Sequence, residues 1–203
     1  MKSGKWGKVS SLHAESGQLV LIRHAPVATP GFLYGRTDIP AQIEAGAIAP
    51  LQAALKGVGT VVSSPALRCR ETAAAIWPGK GLDLDAALWE QDFGAHDGLA
   101  FSDIPDIGET TAEELANYAP PEGESFREVC DRTHPALTNH ARQAAELGET
   151  RALVVHAGVI RSAVSLAVDH VASGLGFEVA NLSMTAFRTG AVGIISVQYV
   201  NKT

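Results

Sequence analysis

Two apolar runs in this chain end on histidine, and small residues and a helical pattern follow each at once. The first is "LVLIRHA", residues 19–25, and the second is "ALVVHAG", residues 152–158. A short β-branched and leucine-rich run that stops at a loop reads as a strand buried on both faces, the strand type of a parallel sheet. Residues 18–22 are therefore expected to form a first strand that delivers Arg23 and His24 at its carboxyl end. The second run delivers His156 in the same way, just ahead of Ala157 and Gly158.

The segments between these runs alternate in type. Residues 43–56 are alanine-rich with apolar residues near helical spacing, and "VGTVVSS" then reads as a second buried strand. The helix "PALRCRETAAAIW" follows, with Pro65 in its first turn, Ser63 and Ser64 as cap candidates and Pro78-Gly79 as its stop. Strand, helix, strand, helix predicts an α/β fold, a three-layer αβα sandwich around a mostly parallel sheet. "LDLDAAL" is expected to add a short third strand. Residues 89–121 are broken by Gly94, Gly98, Pro105 and Pro120-Pro121 around "TAEELANY", and read as a small inserted cap over a site. Residues 124–147 have the make-up of a long surface helix that Pro135 must kink or split. "SMTAFRTGAVGIISVQYVN" reads as a hairpin around Thr189-Gly190 at the edge of the sheet.

Composition sets the outer bounds. A chain of 203 residues that is 46% hydrophobic can bury one sizeable core, so residues 18–203 are expected to form one domain. A formal charge of -6 argues against a nucleic-acid-binding surface, although it leaves room for a local cationic pocket. Residues 1–17 carry lysines without an apolar run and are expected to be disordered. No stretch approaches the eighteen or so apolar residues of a membrane span, which predicts a cytoplasmic protein with no membrane partner. Cys69 and Cys130 lack metal-ligand spacing and read as two reduced thiols.

In open α/β sheets, ligands sit outside the carboxyl ends of the parallel strands. If the two histidine-ending strands are neighbours, one pocket there receives His24, His156 and the Arg23 guanidinium, and Arg68 can join from the helix that starts at Pro65. Paired arginines grip phosphate oxygens, and a neutral imidazole nitrogen can attack phosphorus. The departing oxygen then needs a proton. Glu90 in "LWEQDFGAHDG" is the candidate donor, with Asp92 and Asp97 as nearby competitors. His13, His96, His134, His140 and His170 read as solvated or packing residues.

From residue 19 to about 189 the sequence resembles the histidine phosphatase superfamily, also called the phosphoglycerate mutase-like family. "LIRHA" is similar to its Arg-His-Gly signature, "SSPALRCRETA" to its second arginine motif, "LWEQDFGAHDG" to its acidic motif and "LVVHAGVIR" to its second histidine motif. The departures are Ala25 for the usual Gly, Pro26-Val27 for an acidic-Thr pair and His96-Asp97 for Trp-Glu. The resemblance implies a phosphoglycerate mutase-like fold and a metal-independent, cofactor-free phosphomonoesterase with His24 as nucleophile. Arg23, Arg68 and His156 would hold the phosphate, helped by amides near Ala157 and Gly158, and Glu90 would move the proton.

The loop "PGFLYGRTDIP" after "RHAPV" resembles that of a branch associated with α-ribazole 5′-phosphate hydrolysis in cobalamin biosynthesis. Tyr34 and Arg36 in it would meet the rest of the substrate, Arg36 either at a second anionic group or tied up in a surface salt bridge. The partner expected is a small phosphate ester, and the chain is expected to be a monomer or homodimer. A metal-dependent hydrolase, a mutase and a non-catalytic phosphate-binding module are the competing readings.

Overall fold

A computed structural model describes residues 16–203. The expectation for residues 1–17 lies outside the described residues up to 15. Gly17 is already the first residue of a strand, packed so close to the last turns of a helix that a Cβ there would collide with the Ala144 carbonyl.

Six strands make one mixed sheet. β1 (Gly17–Arg23), β2 (Thr60–Ser63), β3 (Asp83–Leu84), β4 (Thr150–Val155), β5 (Met184–Gly190) and β6 (Gly193–Lys202) lie side by side in the order β3-β2-β4-β1-β5-β6. The first four in that order are parallel, and β5 and β6 close one edge antiparallel. α1 (Ala45–Ala54) and α2 (Leu67–Ile76) pack on one face, while α4 (Phe126–Leu147) and α5 (Ala157–Val168) pack on the other. Successive side chains of a strand point to opposite faces, and β1 feeds both cores accordingly. Val20 and Ile22 join the cluster under α1 and α2, and Leu19 and Leu21 join the one under α4 and α5. The fold is the expected three-layer α/β sandwich.

Element boundaries differ from expectation for identifiable reasons. α2 starts at Leu67, and its N-cap Ala66 offers no side-chain cap. The Leu67 amide instead donates to Asp38 Oδ1 at 2.6 Å, so a loop distant in sequence supplies the cap that Ser63 and Ser64 were expected to give. α4 runs unbroken through Pro135. Pro135 and Asp131, whose carbonyl loses its helical partner to the proline, are both exposed, which lets water take that carbonyl. Ser125 and Glu128 fasten the start of α4 as a reciprocal capping box. The third strand is only two residues long before a 3-10 turn at Ala86–Leu88. In the hairpin, Thr189 and Gly190 are the end of β5, and the turn is Ala191-Val192. The cap region holds 3-10 turns at Gly94–His96 and Phe101–Asp103 and one short helix, α3 (Ala112–Asn117). None of the described helices is long and apolar enough to cross a membrane.

Candidate active site

β1 and β4 are neighbours in parallel register with Arg23 opposite Val155, so the next residues, His24 and His156, emerge side by side. The His24 amide donates to the Val155 carbonyl at 2.9 Å, which locks the two strand ends together. The imidazoles meet edge to face, with ring centroids 5.2 Å apart.

The tautomer of His24 follows from its contacts. Nδ1 lies 2.7 Å from the Ala25 carbonyl, which can only accept, so Nδ1 carries the proton and Nε2 is left with a free lone pair. The surrounding backbone is held as well. The Ala25 amide donates to Thr72 Oγ1 and the Asn181 side-chain amide donates to the His24 carbonyl, each at 2.9 Å. Leu182, next to Asn181, adopts a left-handed φ of 61°, a costly conformation for a γ-branched residue.

Arg68 is almost fully buried, and its guanidinium donates to the carbonyls of Tyr34, Gly35 and Thr37 at 3.4, 2.9 and 3.2 Å. Asp97 grips the same loop from the other side, accepting from the amides of Gly35, Arg36 and Thr37 at 2.8–2.9 Å. Asp97 is thus a loop clamp, and it is not among the groups lining the cavity. Arg36 points away from the cavity, 3.5 Å from Glu124 and 3.9 Å from Asp92, with its guanidinium over the Trp89 ring. Of the two roles expected for Arg36, this geometry is the salt bridge. Tyr34 does line the cavity.

Glu90 is buried at the N-terminus of α5, where the Gly158 amide donates to Oε1 and Oε2 at 3.2 and 3.4 Å. That amide was expected to meet phosphate, but here it holds the Glu90 side chain. A Cβ at position 158 would come within 2.3 Å of Oε1, so glycine is what admits Glu90 to this place. Arg132 on α4, which sequence reasoning missed, anchors the Glu90 loop. It forks onto Glu124 at 2.9 and 3.0 Å and donates to the carbonyls of Ala87, Trp89 and Glu90.

These groups face one cavity of about 520 Å³ lined by Arg23, His24, Arg68, Glu90, Ala157, Gly158 and a mainly apolar rim. Arg161 lines it too and was also missed. Its signal lay within "LVVHAGVIR", because Arg161 stands four residues after Ala157 and shares its helix face. Arg161 Nε donates to the Phe177 carbonyl at 3.0 Å, and no carboxylate among the described residues pairs with it. Arg23 donates to the Val179 carbonyl, while its Nε is buried without a partner among the described residues. Burial lowers the pKa of Arg23; Glu90 opposes this, and Arg161 and Arg68 add to it.

His156 is fully buried behind His24, with Nε2 2.9 Å from Ser64 Oγ and 3.4 Å from Cys69 Sγ. The Trp89 ring lies nearly parallel to it. Both cysteines are buried free thiols, and burial pushes the Cys69 thiol well above its ordinary range. His134, His140 and His170 bind Ser162, Asp85 and Ser173 away from the pocket, whereas His13 lies outside the described residues. No group of three or more His, Cys, Asp or Glu among the described residues could hold a metal ion.

Burial is the largest cause holding His24 at a pKa of about 3, with the Arg68 guanidinium next; the Ala25 carbonyl opposes, and Arg23 adds a smaller push. Burial, followed by Arg68, likewise lowers His156 well below the ordinary value. The folded rings stay neutral while unfolded histidines take protons below about pH 6.5, so stability must fall as pH drops through that value. For His24 alone the loss at pH 5 is about 2 kcal/mol. The thermal midpoint is expected to drop between pH 7.5 and 5, and to drop less in His24→Asn; equal slopes would contradict the assignment.

A mostly parallel α/β sheet that ends two neighbouring strands on histidine inside a ring of arginines defines an anion pocket of the strand-end class. The sequence profile of the histidine phosphatase superfamily, branch 1, matches residues 19–202. The chain belongs to that superfamily. It is 33% identical over 170 residues to the bifunctional protein Rv2228c of Mycobacterium tuberculosis, a match covering 79% of this chain and 45% of that protein. The chain therefore spans under half the length of that relative. A 6-phosphofructo-2-kinase/fructose-2,6-bisphosphatase of Caenorhabditis elegans is 30% identical over 118 residues, 56% of this chain and 25% of its own.

Among solved structures, the mycobacterial glucosyl-3-phosphoglycerate phosphatase Rv2419c superimposes with a TM-score of 0.79 at 21% identity, over 93% of this chain and all of its own. A phosphoserine phosphatase of Entamoeba histolytica superimposes with a TM-score of 0.77 at 21% identity, over 92% and 97%. At these identities the likeness establishes the fold.

Proposed function

We propose that this chain is a metal-independent phosphomonoesterase that works through a phosphohistidine on a small phosphorylated metabolite. The observation that carries this reading is the free Nε2 lone pair of a neutral His24 facing a cavity that also holds Arg23, Arg68, Arg161 and the Glu90 carboxyl. The guanidinium groups hold the dianionic phosphoryl group and spread its charge, the task Mg²⁺ performs in many phosphoryl transfers. Nε2 attacks phosphorus in line, the P–O bond to the leaving alcohol breaks, and Glu90 gives that oxygen its proton. Water then attacks the phosphohistidine while the Glu90 carboxylate takes a proton from it, which releases phosphate and restores both groups.

His156 keeps the phosphate-binding part that the resemblance gives it, subject to one exchange. In this reading its Nε2 exchanges the Ser64 hydroxyl for a phosphoryl oxygen, and the 5.2 Å separation of the two rings supports that exchange. The names of the structural neighbours support phosphatase chemistry on small phosphate esters. Within that class, α-ribazole 5′-phosphate is the specific candidate, supported by the likeness of "RHAPV" and "PGFLYGRTDIP" to that branch.

The test is a rapid alkaline quench with a phosphoryl-labelled ester. A base-stable, acid-labile label on His24 is expected, and with an aryl phosphate, whose leaving oxygen departs without a proton from Glu90, it should accumulate further in Glu90→Gln, where the attacking water has lost its base. Turnover without any such label would overturn the phosphohistidine route. Prolonged EDTA treatment is expected to leave turnover unchanged; loss of activity restored by one divalent metal would favour metal-assisted hydrolysis instead.

A further inference from the structure

We infer that the leaving group this site takes is the alcohol of an aromatic or bulky apolar ester, an inference that rests on the phosphomonoesterase reading but not on the loop's family likeness. Four of the six phenylalanines in the chain, Phe32, Phe93, Phe101 and Phe126, line the same cavity as the arginines, together with Leu33 and Leu175. The cavity thus joins charged groups and an apolar wall in one lining. A phosphoryl group occupies only a fraction of about 520 Å³, and the remainder is space open to the leaving group.

The wall is built, not incidental. Phe101 is 60% exposed and Phe32 37% exposed, although neither lies on a frayed segment. Leu33 donates its amide to the Leu99 carbonyl at 2.9 Å, Gly98 to Leu33 at 2.7 Å and Phe101 to Gly31 at 3.0 Å, and a β-bridge joins Phe32 to Ala100. This short ladder ties the loop after His24 to the cap and fixes the backbone that carries both rings. Phe32 also lies 6.0 Å from the Tyr34 ring. Solvated aromatic rings held in place around a phosphate pocket gain free energy only when a flat or apolar group covers them.

Ethyl phosphate and 2-phenylethyl phosphate are both esters of primary alcohols with similar leaving oxygens, so their ratio of kcat/KM isolates the wall. 2-Phenylethyl phosphate is expected to be favoured by at least about tenfold, the effect of burying one ring. In the double variant Phe32→Ala, Phe101→Ala, both positions being exposed and tolerant of truncation, that ratio should fall towards one. A wild-type ratio near one, a ratio that the double variant leaves intact, or a higher kcat/KM for O-phosphoserine than for 2-phenylethyl phosphate would each overturn the inference. In all three cases the label on His24 would still form. If no ester labels His24 or is hydrolysed, the phosphatase reading falls and takes this inference with it.

Discussion

His24→Ala is expected to lower phosphomonoester turnover by on the order of 10³- to 10⁶-fold, because the covalent route has no other nucleophile. His156, the second imidazole, cannot substitute. It is fully buried behind His24, and its Nε2 is engaged, by Ser64 here and by a phosphoryl oxygen in the proposed reaction, so it offers no free lone pair to phosphorus. The side chain of His24 makes its one hydrogen bond to the adjacent Ala25 carbonyl, so its removal does not release a distant element. Circular dichroism should accordingly show a folded variant that no longer takes up label. Activity within tenfold of wild type would remove His24 from the mechanism.

Arg68→Ala is expected to cost about a hundredfold or more in kcat/KM and to lower the thermal midpoint as well. Two effects coincide here. The buried guanidinium supplies positive charge beside His24, and it satisfies the carbonyls of Tyr34, Gly35 and Thr37. Gly35 is the buried one of the three, and its carbonyl left without a donor costs about 1–3 kcal/mol, so the loop should loosen from α2 even though Asp97 still holds its amides. Arg68→Lys separates the two. It retains the charge but cannot span three carbonyls from a rigid fork, so activity should recover only in part while the loop remains weakened. Full recovery of activity and stability in Arg68→Lys would reduce the role of Arg68 to its charge.

Much of this site could be read along the chain because strand ends are local signals. An apolar run that ends on His24 or His156 announces a parallel strand and the place where its ligand groups emerge, whatever the neighbouring strand is. Arg68 and Glu90 were legible as members of the recurring motifs "SSPALRCRETA" and "LWEQDFGAHDG". What could not be read were contacts between segments far apart in sequence. Asp38 caps α2, Asp97 clamps residues 35–37 and Arg132 holds the Glu90 loop. Each is a polar side chain with no local pattern, and each acts by meeting backbone groups tens of residues away.

The same division separates chemistry from specificity. By itself the sequence determined the layered α/β class and the two histidine-ending strands, since hydrophobic period and strand-end composition are properties of short windows, and its family likeness pointed to the candidate reacting groups. The tertiary structure decided that β1 and β4 lie in register, that the Gly158 amide holds Glu90, that Arg36 turns away to Glu124, and that four phenylalanines line one cavity. These outcomes depend on which buried backbone groups and apolar surfaces find partners once the chain is closed, and that accounting is settled only when all the layers are in place.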